Sequence, residues 1–297
     1  MDQQYVVGVH GIRQGKVSQQ RLLKDWNRAL ARGVDALRSA AGLDAAAIMT
    51  PVLDVPQWSR LLSREANRLG PADGLVDDSV PFDVDEEAFV VEAMDELLRP
   101  EDLAYARELD LTTLGPPKLW PASVTLRAVA YDRRSPQGAG SKLVMLLREV
   151  RYYLREPDLA AQVRKLVSEA LTNTTSVVIG HSLGSVIAYD LLQGERSDDA
   201  EASRSVHTFV TCGSPLGIPA VRRAMGIPDR ELMAMPPEIR WINVFDPDDI
   251  VAGAAGLSLT ARNMTDIQVD TGNIDPHSAL NYLRTVPVAR AATNHWA

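Results

Sequence analysis

Ten residues constrain this chain more than any others: Ser176-Val177-Val178-Ile179-Gly180-His181-Ser182-Leu183-Gly184-Ser185. A β-branched run ends on Gly-His-Ser-Leu-Gly, and Val186–Leu192 leaves it with the apolar spacing of a helix. In a chain of 297 residues, a bare Gly-x-Ser-x-Gly is expected about 0.1 times by chance. The pattern alone therefore decides little; its place between a strand and a helix decides more. A serine on such a sharp turn presents its hydroxyl above a sheet, and small residues two before and two after it relieve the clash between strand and helix. The helix amino terminus then directs free N–H groups at whatever reacts there. Ser185 and Ser214 are rival nucleophiles by residue type, but neither occupies the turn, so Ser182 is the candidate.

The rest of the second half alternates in the same way. Strands are expected at Val206–Cys212, Ile239–Phe245 and Ile267–Val269, with a helix beginning at His277–Leu283. Before the serine motif, Gln4–Val9 reads as a buried strand. Ser18–Ala41 reads as a helix, with Leu22, Leu23, Trp26, Leu30, Val34 and Leu37 on one face and Gly42 as its stop. Ala45–Leu53 is a weaker strand candidate, and Lys142–Leu171 a long helical region interrupted near Pro157. Alternating strands and helices imply an α/β fold: a mostly parallel sheet flanked by helices.

Residues 55–141 break this rhythm. They hold eight prolines, short helical patterns such as Glu86–Leu98, and a segment, Val124–Tyr131, whose periodicity fits strand or helix equally. The expectation is one α/β domain over 1–297, with 55–141 inserted as a helical and loop cap, because elements on both sides of the insertion must meet at one site. Trp58, Leu61, Leu62 and Trp120 could line a lid and Met145-Leu146-Leu147 an acyl pocket, although residues at helical spacing are more often core. Net charge is −8, yet 73–110 alone carries 14 acidic residues against Arg99 and Arg107, a net of −12, leaving +4 elsewhere. That block is expected to be a solvated outer face of the cap. No basic face suggests a nucleic-acid partner.

If Ser182 is a nucleophile it needs a base, and five histidines are available. His10 and His181 belong to the segments expected to border the serine, His207 opens a strand, and His295 lies two residues from the last residue. His277 follows the last strand and opens a helix, where it could approach Ser182. The orienting carboxylate should lie between serine and histidine in sequence. Asp246, Asp248 and Asp249 end the strand Ile239–Phe245, and mutual repulsion forbids burying all three beside one imidazole. Asp249 is preferred, with Asp246 as the alternative. An oxyanion would take one N–H from Leu183, after the serine, and a second from the loop after the first strand, where Val9-His10-Gly11-Ile12 offers Ile12. A phosphate-binding loop does not fit there: Lys16 is followed by Val17.

Val-His-Gly-Ile, Gly-His-Ser-Leu-Gly-Ser, Thr-Cys-Gly-Ser-Pro-Leu-Gly, Asp-Pro-Asp-Asp-Ile-Val and Pro-His-Ser, in that order, resemble the α/β-hydrolase superfamily, and most of all its lipase- and esterase-like members. The resemblance covers 172–285 well, 4–54 weakly and 55–141 hardly at all. It implies an α/β-hydrolase fold, a triad of Ser182, Asp249 and His277, an oxyanion hole at Ile12 and Leu183, and hydrolysis of a small-molecule or lipid ester without a cofactor. A peptidase, amidase or thioesterase could use the same residues, and a non-catalytic interaction module could keep the fold. Composition agrees with a folded soluble protein: 45% hydrophobic and 24% charged residues exclude general disorder. The single Cys212 excludes an internal disulfide or a multi-cysteine zinc site. No run of about 18 apolar residues suggests a spanning helix. The opening residues show no leader pattern, so a cytoplasmic protein is expected.

Overall fold

The computed structural model describes residues 4–12, 14, 17–41, 48–61, 81–109, 120–193, 205–253 and 255–295. In chain order its elements are β1 (Tyr5–Val9), α1 (Gln19–Ala41), β2 (Val52–Asp54), α2 (Val84–Leu97), α3 (Pro100–Glu108), α4 (Ala122–Asp132), α5 (Ala139–Arg155) and α6 (Pro157–Ser168). There follow β3 (Thr175–His181), α7 (Leu183–Leu192), β4 (Thr208–Cys212), α8 (Pro219–Ala224), β5 (Arg240–Phe245), β6 (Met264–Gln268), α9 (Ala279–Leu283) and α10 (Val286–Ala292).

The six strands form one parallel sheet in the order β2-β1-β3-β4-β5-β6. This topology, flanked by helices and carrying extra helical insertions, is consistent with the α/β-hydrolase superfamily in general. Its central strands are buried on both faces, which is why they read as unbroken apolar runs instead of alternating ones. The edge strand β6 has no buried residue, and its sequence signal is correspondingly faint. Strand order reverses beside β1: β2 lies on one side of it and β3 on the other. At such a switch point the loops leaving the carboxyl ends of neighbouring strands diverge and leave a crevice. Val9 pairs with Gly180 and His181 with Cys212, so the loops after β1, β3 and β4 start side by side.

The chain divides into two compact units. The first, Met1–Leu61, Ala161–Gly217 and Glu231–Ala297, contains the whole sheet. One core of it joins Leu22, Trp26 and Leu30 of α1 to Val177 and Ile179 of β3, Ile242 and Val244 of β5, and Tyr282, Leu283 and Val288. The second unit, Leu62–Ala160 with Ile218–Arg230, is helical in its described residues. The expected insertion limits of 55–141 differ from it: 55–61 belong to the first unit, while 142–160 and 218–230 belong to the second.

Local outcomes follow from packing. Val124–Tyr131 lies within a helix, α4, with Val124, Ala128 and Ala130 buried and Arg127 bonded to Asp95 of α2 at 2.6 and 2.8 Å. The strand looked for at 45–53 is the three-residue β2, shifted toward its carboxyl end; 42–47, including Gly42, lie outside the described residues. Met145, Leu146 and Leu147 are buried in α5, and Trp120 packs edge-on against Phe82 with ring centroids 6.3 Å apart. Leu62 lies outside the described residues.

The acidic segment is exposed at Asp83, Asp85, Glu92, Glu101 and Glu108, and several of its carboxylates are also paired. Its carboxylates meet arginines that lie outside the segment in sequence. Glu86 binds Arg148 of α5 at 2.7 Å, and Asp102, buried, binds Arg134 at 3.0 Å. Asp83 binds Arg155, and Glu92 and Glu96 share Arg223 near the end of α8. Part of the charge that is segregated along the chain is paired with arginines within the second unit. Asp73, Asp77, Asp78 and Asp110 lie outside the described residues. Among the described residues no helix is long and apolar enough to cross a membrane.

Candidate active site

β3 runs straight into α7, and the single residue between them absorbs the change of direction. Ser182 has φ 55° and ψ −130°. Such a conformation costs a non-glycine residue about 1–3 kcal/mol and persists only where the surroundings hold it. They do so here. The Ser182 N–H donates to the Cys212 carbonyl at 3.1 Å, and its carbonyl accepts from the Ser185 N–H at 2.9 Å and the Ser185 hydroxyl at 2.6 Å. A Cβ at Gly180 would stand 2.6 Å from the Ser185 Cα, and one at Gly184 would stand 2.0 Å from the Val9 carbonyl oxygen. Both glycines of the motif are therefore demanded by backbone packing.

The Ser182 hydroxyl does not cap its own helix. Its oxygen lies 3.0 Å from Nε2 of His277 instead. His277 lies in the segment between β6 and α9, and its Nδ1 is 2.9 Å from each oxygen of Asp249. A carboxylate only accepts, so Nδ1 carries the proton and Nε2 is left to accept from the serine. Asp249 follows β5 in a turn closed by its N–H to the Asp246 carbonyl at 3.0 Å. It is 1% exposed. Burial opposes its charge; the His277 charge and hydrogen bonds from His277, the Val251 N–H and the Tyr282 hydroxyl outweigh that and hold it below the usual carboxylate range. Gly213, just past β4, has φ 54°, and a Cβ there would stand 2.6 Å from Asp249 Oδ2 and 3.1 Å from His277 Nδ1.

The sequence named Ser182, His277 and Asp249, and the structure brings these three into one chain of hydrogen bonds. Asp246, the alternative carboxylate, makes no hydrogen bond to His277. It is buried and accepts from the Thr271 N–H at 2.6 Å, the Asp248 N–H at 2.9 Å and the Thr271 hydroxyl at 2.7 Å, anchoring the segment that leads to His277. Leu183 occupies the first position of α7, where N–H groups have no carbonyl of their own helix to bond. The loop bearing Ile12 also reaches the serine: a Cβ at Gly11 would stand 2.8 Å from the Ser182 Cβ. Arg13 and Lys16 lie outside the described residues. His207 is exposed at the amino end of β4, opposite the strand ends that carry Ser182. Among the described residues no group of three or more His, Cys, Asp or Glu could hold a metal ion.

No family model, curated protein or solved structure matches this chain. Its likeness to α/β hydrolases therefore rests on its own topology and residues.

Four residues around the site escaped sequence reasoning in their roles. His181 is buried, and its Nε2–H donates to the His277 carbonyl at 2.8 Å, tying the backbone of one histidine to the ring of the other. Burial first, then the nearby His277 charge, push its pKa down to about 3, so it stays neutral across the ordinary range. His10 is likewise held down to about 4, chiefly by burial. It stacks on Trp58 at 4.8 Å and 9°, and the Trp58 indole N–H donates to the His10 carbonyl at 3.1 Å. Trp58 was a lid candidate in the sequence; it is fully buried in the sheet unit and braces the loop after β1. Tyr282, on α9, donates its hydroxyl to Asp249 Oδ2 at 2.7 Å. For Trp58 and Tyr282, an aromatic among apolar residues signals core, and nothing local marks the polar end as engaged.

Proposed function

We propose that this protein is a serine hydrolase that cleaves carboxylic esters through an acyl-enzyme. A parallel sheet of this topology is consistent with a hydrolase-type enzyme in general. The single observation that carries the finer assignment is the hydrogen-bonded series Ser182–His277–Asp249, at 3.0 and 2.9 Å, beyond the carboxyl ends of three strands.

In this scheme Ser182 Oγ attacks the ester carbonyl while His277 Nε2 accepts its proton. The carbonyl oxygen becomes an oxyanion, stabilised by the Leu183 and Ile12 N–H groups. Collapse expels the alcohol, which leaves with the proton held on His277 Nε2. Water then attacks the acyl group with His277 again as base, and Ser182 is released with its proton restored. Asp249 stays ionised throughout and offsets the charge that His277 acquires.

Labelling by a fluorophosphonate probe and turnover of p-nitrophenyl esters test this assignment. Both should disappear in Ser182→Ala, with kcat falling by orders of magnitude while the folded state persists. Near-wild-type turnover in Ser182→Ala would remove the proposal. A chain-length series of esters beside peptide and thioester substrates fixes the leaving group and acyl preference.

A further inference from the structure

Asp249 has more donors than orienting a histidine requires. His277 Nδ1–H reaches both its oxygens, the Val251 N–H occupies Oδ1 at 2.9 Å, and the Tyr282 hydroxyl occupies Oδ2 at 2.7 Å. The Tyr282 oxygen in turn accepts from the Asp246 N–H at 3.1 Å. That bond fixes which way the hydroxyl proton points: its oxygen takes a proton from Asp246 and gives its own to Asp249. Tyr282 has no exposed surface, so water does not compete for the bond.

From this geometry we infer that Tyr282 is a positioning residue of the hydrolytic site, a hydroxyl that locks Oδ2 of Asp249 and limits how basic that carboxylate becomes toward His277. The inference rests on the proposed triad. Its physical content is that a hydrogen bond to a charged, buried acceptor is about twice as strong as a neutral one and drains charge from the oxygen it reaches. Without it, more negative charge faces Nδ1, the protonated form of His277 is favoured, and the carboxylate gains freedom to turn. The surroundings add to the demand. His181 from the end of β3, Cys212 from the end of β4 and Asp246 from the end of β5 all face the Asp249–Tyr282 pair. Of these, His181 and Cys212 are held neutral by burial, and the Asp246 carboxylate is occupied by Thr271 and Asp248. The space is also reserved for it: a Cβ at Gly213 would stand 3.0 Å from Tyr282 Cε2 as well as against Asp249.

The test is Tyr282→Phe, which removes one oxygen and leaves the ring. Wild type and variant are compared in the pH dependence of kcat/KM for a p-nitrophenyl ester, and in the His277 titration followed by NMR of the imidazole protons. The expected result is a His277 titration and an acid limb of kcat/KM moved to higher pH, with kcat reduced about tenfold, the loss of roughly one hydrogen bond, and KM little changed. In an Asp249→Asn background the same substitution should have no further effect on kcat, because its target is gone. A merely structural tyrosine would lower thermal stability and the amount of active enzyme but leave the His277 titration where it was. That result, or a shift to lower pH, overturns the inference. If Tyr282→Phe does not fold, 3-fluorotyrosine at position 282 takes its place. A more acidic hydroxyl should move the His277 titration to lower pH, and no movement overturns the inference equally. Failure of the triad itself is distinguished by the fluorophosphonate control: wild type not labelled at Ser182 removes the hydrolase proposal and this inference with it, whereas labelling with an unmoved titration removes this inference alone.

Discussion

Ser182 is held in a conformation that a residue with a side chain adopts only under constraint, and Gly213 shows how tight that constraint is. Its positive φ, and the mere 2.6 Å that would separate an added Cβ from Asp249 Oδ2, mean that Gly213→Ala has to displace the carboxylate or distort its own backbone. The expected outcome is a drop in kcat of about 10²-fold, since small misplacements of aligned groups are costly, with a far smaller change in thermal midpoint. Two buried histidines make a second prediction at this scale. His10 and His181 have pKa values lowered to about 4 and about 3 in the folded protein, against 6.5 unperturbed. The unfolded chain therefore binds more protons between those limits, and folding stability falls as pH drops below about 6.5 toward 3. Urea midpoints measured from pH 7 to pH 4 should decline, and the decline should be shallower in His181→Gln, whose amide can still donate to the His277 carbonyl. An unchanged slope means that His181 already titrates normally.

The elements were legible where burial is two-sided and obscure where it is not. β3, β4 and β5 announce themselves as apolar runs, and the turn after β3 is marked by two glycines whose necessity is visible in backbone contacts. β2 and β6 lie at the sheet edges, are short or unburied, and leave little trace in the sequence. Val124–Tyr131 is ambiguous in sequence because its apolar residues satisfy either period; contacts of α4 with α2 and α5 within the helical unit decide for helix. The three residues that meet in one hydrogen-bonded series were readable from order, serine then aspartate then histidine, but order could not separate Asp246 from Asp249, which end the same strand. The separation is a matter of side-chain direction: one turns toward His277 and the other toward Thr271. Asp246→Asn is therefore expected to loosen the segment between β6 and α9, lowering kcat less than Asp249→Asn does and lowering stability more. The reverse ranking in esterase assays and urea melts would exchange their roles.

At the scale of the whole molecule, the composition of the acidic segment pointed to a charged surface; most of its described carboxylates are exposed, and ion pairs give several of them a partner as well. Arg148 is 1% exposed and bound to Glu86 through both nitrogen–oxygen contacts at 2.7 and 3.1 Å. Removing one member of such a pair leaves a buried charge uncompensated, and Arg148→Ala should cost about 3 kcal/mol or more, read as a lower urea midpoint. Replacing Arg148 by Met together with Glu86 by Leu should recover much of the loss, because apolar packing substitutes for a buried pair. Serine and histidine stand 95 residues apart in the chain and meet only because β3 and β6, with two strands between them in one parallel sheet, end on the same side. The sheet must therefore be complete, from its switch point to its far edge strand, before the serine meets His277. A chain emerging from synthesis with β3 and α7 already formed carries the hydroxyl but not the imidazole that bonds it. On the proposed mechanism, reactivity is in that sense a proofreading of folding: a partly assembled molecule would be chemically inert, and a reactive one would have its last strand in place.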